Sequence, residues 1–205
     1  MTTTLIRGGT VHDGRGSPGR RADVWLRDGR VAAFDAPDPD AAPPPGVAVV
    51  DATGCWVMPG FVDLHTHYDA EIEVLPGLSE SVRHGVTTVV MGSCGLSMVV
   101  GEPVDLADMF CRVEGIPRRV VLPVLEREKD WDGPAAYLRH LESRALGPNV
   151  ACLLGHSTIR AAAMGIRRSL TRGVRPSADE QARMEGWLHE ALDAGYLGLS
   201  INTLT

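Results

Sequence analysis

Residues 86–91 read VTTVVM, a run in which every side chain is β-branched or apolar. A strand with one wet face alternates apolar with polar residues; a strand without that alternation is buried on both faces, as in a parallel sheet covered by helices. Parallel neighbours need long crossover connections, usually helical. The segments around this run supply them. Phe61–Leu64 reads as a short apolar strand, and Leu78–His84 as a turn or two of helix stopped by Gly85. Asp105–Val113 follows as helix, Arg119–Val124 as strand, Gly133–Arg144 as helix with Pro134 near its start, and Asn149–Leu154 as strand. Ser177–Ala194 is the clearest helix, since Ser177 and Glu180 form a capping box and Gly195 ends it. Tyr196–Ile201 closes the series as a fifth strand. Strand-helix alternation of this kind predicts an α/β fold with a parallel sheet.

The first 57 residues follow a different grammar. Thr4–Ile6, Thr10–Val11, Ala22–Leu26 and Arg30–Phe34 are short strand candidates, the last two flanking Asp28-Gly29, a strong hairpin turn signal. A loop rich in Pro, Asp and Ala spans Ala36–Gly46, after which Val47–Val50 and Cys55–Val57 resume strands. The expected division is therefore 1–57 and 58–205.

Chemistry concentrates where the first strand of the second region ends. Phe61-Val62-Asp63-Leu64 runs into His65-Thr66-His67. Residues two apart on a strand share a face, so the two imidazoles would reach one metal ion. Zinc accepts such nitrogens at about 2.0–2.1 Å, and catalytic zinc sites keep a position open for water. Cys94, in Gly92-Ser93-Cys94-Gly95, lies just past the next strand. If the strands build a barrel, their carboxyl ends share the active face, and the thiol approaches the same ion as a ligand. His156 follows the strand 149–154; it either serves a substrate pocket or caps the following turn. Arg160 suits bidentate pairing with a substrate carboxylate or a surface salt bridge. Asp69 either orients a ligating imidazole or forms a turn. The remaining cysteines, Cys55, Cys111 and Cys152, read as buried thiols, and His84, His140 and His189 as ordinary helical histidines.

The strand ending in His65-Thr66-His67, with its Met58-Pro59-Gly60 lead-in, resembles the amidohydrolase superfamily. That resemblance spans nearly the whole chain, and Gly-Ser-Cys94-Gly together with Gly-His156-Ser-Thr-Ile-Arg160 makes it closest to the N-acyl-D-amino-acid deacylase branch. It implies a (β/α)8 TIM barrel flanked by a small β-sandwich. With about five of eight strands present, the expectation is an incomplete barrel preceded by part of that sandwich, the N-terminal part of a longer enzyme. It further implies one or two Zn2+ ions, with Cys94 in place of the lysine that bridges two metals in hydantoinases and dihydroorotases. The implied substrate is a small N-acyl amino acid. Further histidine ligands and the proton-shuttling aspartate would lie beyond Thr205, so the 205 residues are expected to be inactive alone. A cyclic-amide hydrolase of the hydantoinase type would need the bridging lysine, but Lys129 is the only lysine and sits in the polar stretch Glu126–Asp130. The other alternative is a non-catalytic truncated chain.

Composition narrows the rest. A net charge of −6 argues against a nucleic-acid surface, which would be basic. No apolar run approaches the ~20 residues of a membrane span, and no signal-peptide core opens the chain. The four cysteines show no paired spacing, leaving a cytoplasmic protein as the default.

Overall fold

The computed structural model describes residues 2–36, 38 and 40–202; Pro37 and Pro39 of the expected loop and the last three residues lie outside them. The chain divides into two compact units, Met1–Gly60 and Phe61–Thr205.

The first unit is a mixed five-stranded sheet. β1 (Thr3–Val11) pairs antiparallel with β2 (Arg20–Arg27), and β2 with β3 (Arg30–Asp35). On its other edge β1 pairs in parallel with β4 (Ala48–Asp51) and then with β5 (Trp56–Val57). The hairpin turn forms at Asp28-Gly29, with φ of +47° and +75°, the left-handed pair that a two-residue turn of matching twist requires. A small core of Val11, Ala22 and Val24 is backed by Ile6, Leu26 and Val57.

The second unit is half of a (β/α)8-type barrel, a sheet of four parallel strands in sequence order. β6 (Phe61–Asp63) leads through short helices α1 (Glu71–Val74) and α2 (Ser79–Arg83) to β7 (Val86–Met91). Helices α3 (Pro103–Phe110), α4 (Arg118–Glu128) and α5 (Pro134–Glu142) precede β8 (Asn149–Gly155). Then α6 (His156–Met164), α7 (Ile166–Ser169) and α8 (Ala178–Ala194) lead to β9 (Gly198–Ser200). Val89, Met91 and Leu154 on the strands pack with Leu106, Phe110, Leu125, Tyr137 and Ile159 on the helices to form one continuous core. Both ends of α8 are as expected: Ser177 and Glu180 close the capping box, and Gly195 ends the helix at φ +102°.

Among the described residues four strands, not five, make this sheet. The segment expected as strand Arg119–Val124 is instead the body of α4. Its buried residues Val121 and Leu125 are four apart, the spacing of one helical face, while Val120 is exposed. Pro117 sits at the N-cap position, with the chain entering the helix after it. Pro123, which lacks an N–H, leaves one intrahelical bond unmade. Among the described residues no helix is long and apolar enough to cross a membrane.

Candidate metal centre

All four strands run the same way, so the segments after Asp63, Met91, Gly155 and Ser200 emerge at one end of the sheet. The strand expected to carry the histidines stops at Asp63, and His65 and His67 lie on the segment beyond it. Thr66 pins that segment to β7: its backbone N–H and its hydroxyl both donate to Val90 O, at 3.1 and 2.8 Å. The Asp63 carboxylate accepts the His65 N–H at 3.2 Å. With Thr66 buried between them, the flanking imidazoles stand together, ring centroids 5.5 Å apart.

Cys94 is presented by a single 3₁₀ turn, Ser93–Gly95, immediately past β7. Gly92 and Gly95 bracket it at φ +77° and +80°, and Cys94 itself lies at φ +53°. The left-handed region is disfavoured by about 1–2 kcal/mol for a residue with a Cβ, and such outliers persist only where the surroundings hold them. Here they do. A Cβ on Gly92 would fall 2.0 Å from Leu153 O, and one on Gly155 would fall 2.6 Å from Gly95 O, so the turn lies hard against β8. Ser97 extends the attachment: its hydroxyl accepts the Gly155 N–H at 3.0 Å and its own N–H donates to Thr158 Oγ1 at 2.9 Å.

These two pieces of chain bring His65, His67 and Cys94 together, with one donor atom from each within 4.8 Å of the others. His65 Nε2 and Cys94 Sγ are 3.1 Å apart. Two donors on a tetrahedral zinc, at about 2.1 and 2.3 Å, stand about 3.6 Å from each other, close to this spacing. His67 Nδ1 is buried and has no hydrogen-bond partner among the described residues. Burial, with the neighbouring His65 adding to it, holds the His67 pKa below the usual range, which favours the neutral ring that a metal needs. The residues present fit a zinc ion.

The other expected site residues are placed differently. Asp69 makes no bond to an imidazole. Its side chain is fully buried, one oxygen accepts the Gly92 N–H at 3.2 Å, and burial pushes the carboxyl up to about 7. It therefore braces the Cys94 turn. His156 is the first residue of α6, half-buried beyond β8, and burial, with Arg160 nearby, lowers its pKa. Arg160 points its guanidinium at main-chain oxygens, donating to Ser169 O at 3.3 Å and Val174 O at 2.6 Å, and tethers the segment that follows α6. Lys129 donates to Trp131 O at 2.6 Å and lies over the indole.

Two features escaped the sequence reading. Ser200, at the end of β9, bonds both ends of the Cys94 turn. His140 is not an ordinary helical histidine: it is buried, with Nε2 2.8 Å from Glu73 Oε2 and Nδ1 3.0 Å from Asp130 Oδ1. Cys55 is exposed, whereas Cys152 is buried and its thiol is pushed up to about 12.

A model of the amidohydrolase family matches residues 48–205. Over 196 residues the chain is 48% identical to an uncharacterised protein of Mycobacterium tuberculosis, covering 96% of this chain and 32% of that one. Among solved structures it resembles N-acyl-D-glutamate deacylase of Bordetella bronchiseptica, complexed with zinc and a phosphonate inhibitor, at TM-score 0.76 and 35% identity, over 97% of this chain and 38% of that one. It also resembles D-aminoacylase, at TM-score 0.75 and 33% identity, over 98% and 39%. The chain belongs to the amidohydrolase family. Within that family it falls in the branch of D-aminoacylase and N-acyl-D-glutamate deacylase. It spans about a third of the length of the curated relatives it matches.

Proposed function

We propose that His65, His67 and Cys94 hold zinc, one ion or two, in a hydrolase that removes the acyl group from small N-acyl-D-amino acids. The convergence of one thiol and two imidazoles on the strand-end face carries this reading. A cysteine with histidines suits zinc better than magnesium or calcium. When bound, such an ion polarises an amide carbonyl and lowers the pKa of a coordinated water toward about 7.

The chain's own residues position this chemistry. Thr66 fixes the histidine segment to β7, and Asp69 and the two glycines fix the cysteine turn. His156 stands at the same end of the sheet and is proposed to face the substrate; its lowered pKa keeps it neutral near pH 7, able to donate or accept one hydrogen bond. Arg160 is proposed to shape that pocket through the loop it tethers. The free thiols suit a cytoplasmic location. A lysine-bridged, hydantoinase-like site is disfavoured, because Lys129 is held against Trp131. None of the acidic groups joins the donor cluster among the described residues, and turnover by these 205 residues alone is expected to be nil.

Elemental analysis of the purified chain tests the proposal. Near-stoichiometric zinc that falls in Cys94→Ala and in His65→Ala/His67→Ala is the expected result. Zinc content unchanged by Cys94→Ala overturns the ligand assignment.

A further inference from the structure

We infer that Ser200 is a positioning residue for the Cys94 thiolate, acting from the last strand of the sheet on a turn made more than a hundred residues earlier. The inference rests on the metal reading of the His65–His67–Cys94 cluster. Ser200 Oγ accepts the Gly95 N–H at 3.0 Å and donates to Gly92 O. Those are the two ends of the turn that carries Cys94, so one hydroxyl bridges them. The turn needs such a bridge because Cys94 occupies a left-handed conformation that few residues with a Cβ adopt.

Inside the turn one backbone bond, Leu96 N–H to Ser93 O at 3.0 Å, helps to fold it, and the packing around it fixes where it sits. Leu153 O blocks Gly92 from shifting toward β8, and Ser157 Oγ and the Asn202 nitrogen lie 3.0 and 3.3 Å from where a Cβ on Gly95 would stand. Asp69 takes the Gly92 N–H and, past the turn, a backbone bond at Met98. Ser200 adds a side-chain bridge across both flanks of the cysteine. Without its hydroxyl the left-handed φ of Cys94 is held by the turn's own Leu96 N–H bond to Ser93 O, at 3.0 Å, and by packing, and has more room to relax toward negative values. That rotation swings Sγ away from His65 Nε2, now 3.1 Å distant. Residues that orient a ligand in this way typically change metal affinity by about 10–100-fold when removed.

The test uses the full chain with Ser200→Ala, Ser200→Thr and Cys94→Ala, and three measurements. Zinc affinity is read by competition with a chromophoric chelator. The cobalt-substituted chain is read for thiolate-to-metal charge-transfer absorption, and the metal-free chain for hydrogen exchange at the Gly95 amide. Ser200→Ala is expected to weaken zinc about 10–100-fold, diminish the charge-transfer band and speed Gly95 exchange, with all three restored in Ser200→Thr. Wild-type affinity and band intensity in Ser200→Ala overturn the inference, as does a folded Ser200→Thr that restores none of them. Should Ser200→Ala fail to fold, Ser200→Thr decides. Tight zinc with a slowly exchanging Gly95 amide supports the bridge, and tight zinc with a fast one refutes it. A Cys94→Ala chain that binds zinc as tightly as wild type removes the metal reading, and this inference falls with it. An effect of Cys94→Ala without one of Ser200→Ala removes the bridge alone.

Discussion

Replacing Gly92 by alanine probes how tightly the cysteine turn is built into the sheet. The new Cβ would lie 2.0 Å from Leu153 O, 2.9 Å from its carbonyl carbon and 3.2 Å from its nitrogen. All three are backbone atoms, so no rotamer change relieves the overlap. Carbon–oxygen contacts close no nearer than about 3.3 Å, and β8 must therefore retreat by more than about 1 Å. At that displacement the nearby bonds of the β7–β8 ladder, where Met91 faces Cys152, are lost. Two such bonds contribute about 2 kcal/mol. The positive φ of +77° adds about 1–2 kcal/mol once a Cβ is present. The sum is a loss of about 3–4 kcal/mol, or about 6–16 °C in Tm for a chain of this size. Gly195→Ala is the matched control. It lies in the same left-handed region, at φ +102°, with nothing within 4 Å of the added carbon, so only the conformational part, about 1–2 kcal/mol, applies. Urea and thermal unfolding by circular dichroism measure both. Equal destabilisation of the two variants would refute the reasoning, because the clash would then carry no weight.

Two further outcomes are expected. Burial and the Asp69 charge push the Glu114 carboxyl up to about 8. Between about pH 4.5 and about 8 the folded chain keeps a proton that the unfolded chain has lost, so this group's stabilisation is full at the acid end and fades as pH rises. Glu114→Gln should be about 1–3 kcal/mol more stable than wild type at pH 8.5, allowing for solvent screening, and near-equal at pH 4.5; urea titrations showing the same difference at both pH values would contradict this. His140→Ala strips the buried Glu73 carboxylate of its 2.8 Å partner and should cost about 3–5 kcal/mol, while Glu73→Leu/His140→Leu should recover most of it; a double variant as unstable as the single one would show that packing around His140, not the unpaired charge, dominates.

What the sequence disclosed was whatever a few neighbouring residues decide. Asp28-Gly29 and the Ser177–Glu180 box each carry their geometry within four positions and appear in the structure where their pattern placed them, whereas the His65 and His67 rings stand together just beyond the strand rather than on it. The α4 segment was misread because a run of Val, Leu and Pro suits a buried strand as well as one face of a helix. Only its spacing of Val121 and Leu125 against the core separates the two. His140 looked ordinary because Glu73, the partner that makes it a buried ion-pair candidate, is 67 positions away. Asp69 was expected to orient an imidazole or form a turn, but its carboxylate accepts from Gly92, 23 residues on. Ser200 carried no signal at all: a serine at a strand end is unremarkable until the strand is seen beside the turn it closes.

That distance along the chain also has a consequence in time. Gly95 and Ser200 are 105 residues apart, and a ribosome adding about 5–20 residues per second needs about 5–20 s to get from one to the other. Throughout that interval His65, His67 and Cys94 have all been synthesised, yet the cysteine turn has not met its closing hydroxyl. The nascent chain thus carries the three proposed metal donors well before the Ser200 hydroxyl can reach the cysteine turn, a contact that forms only after β9 has been added to the sheet.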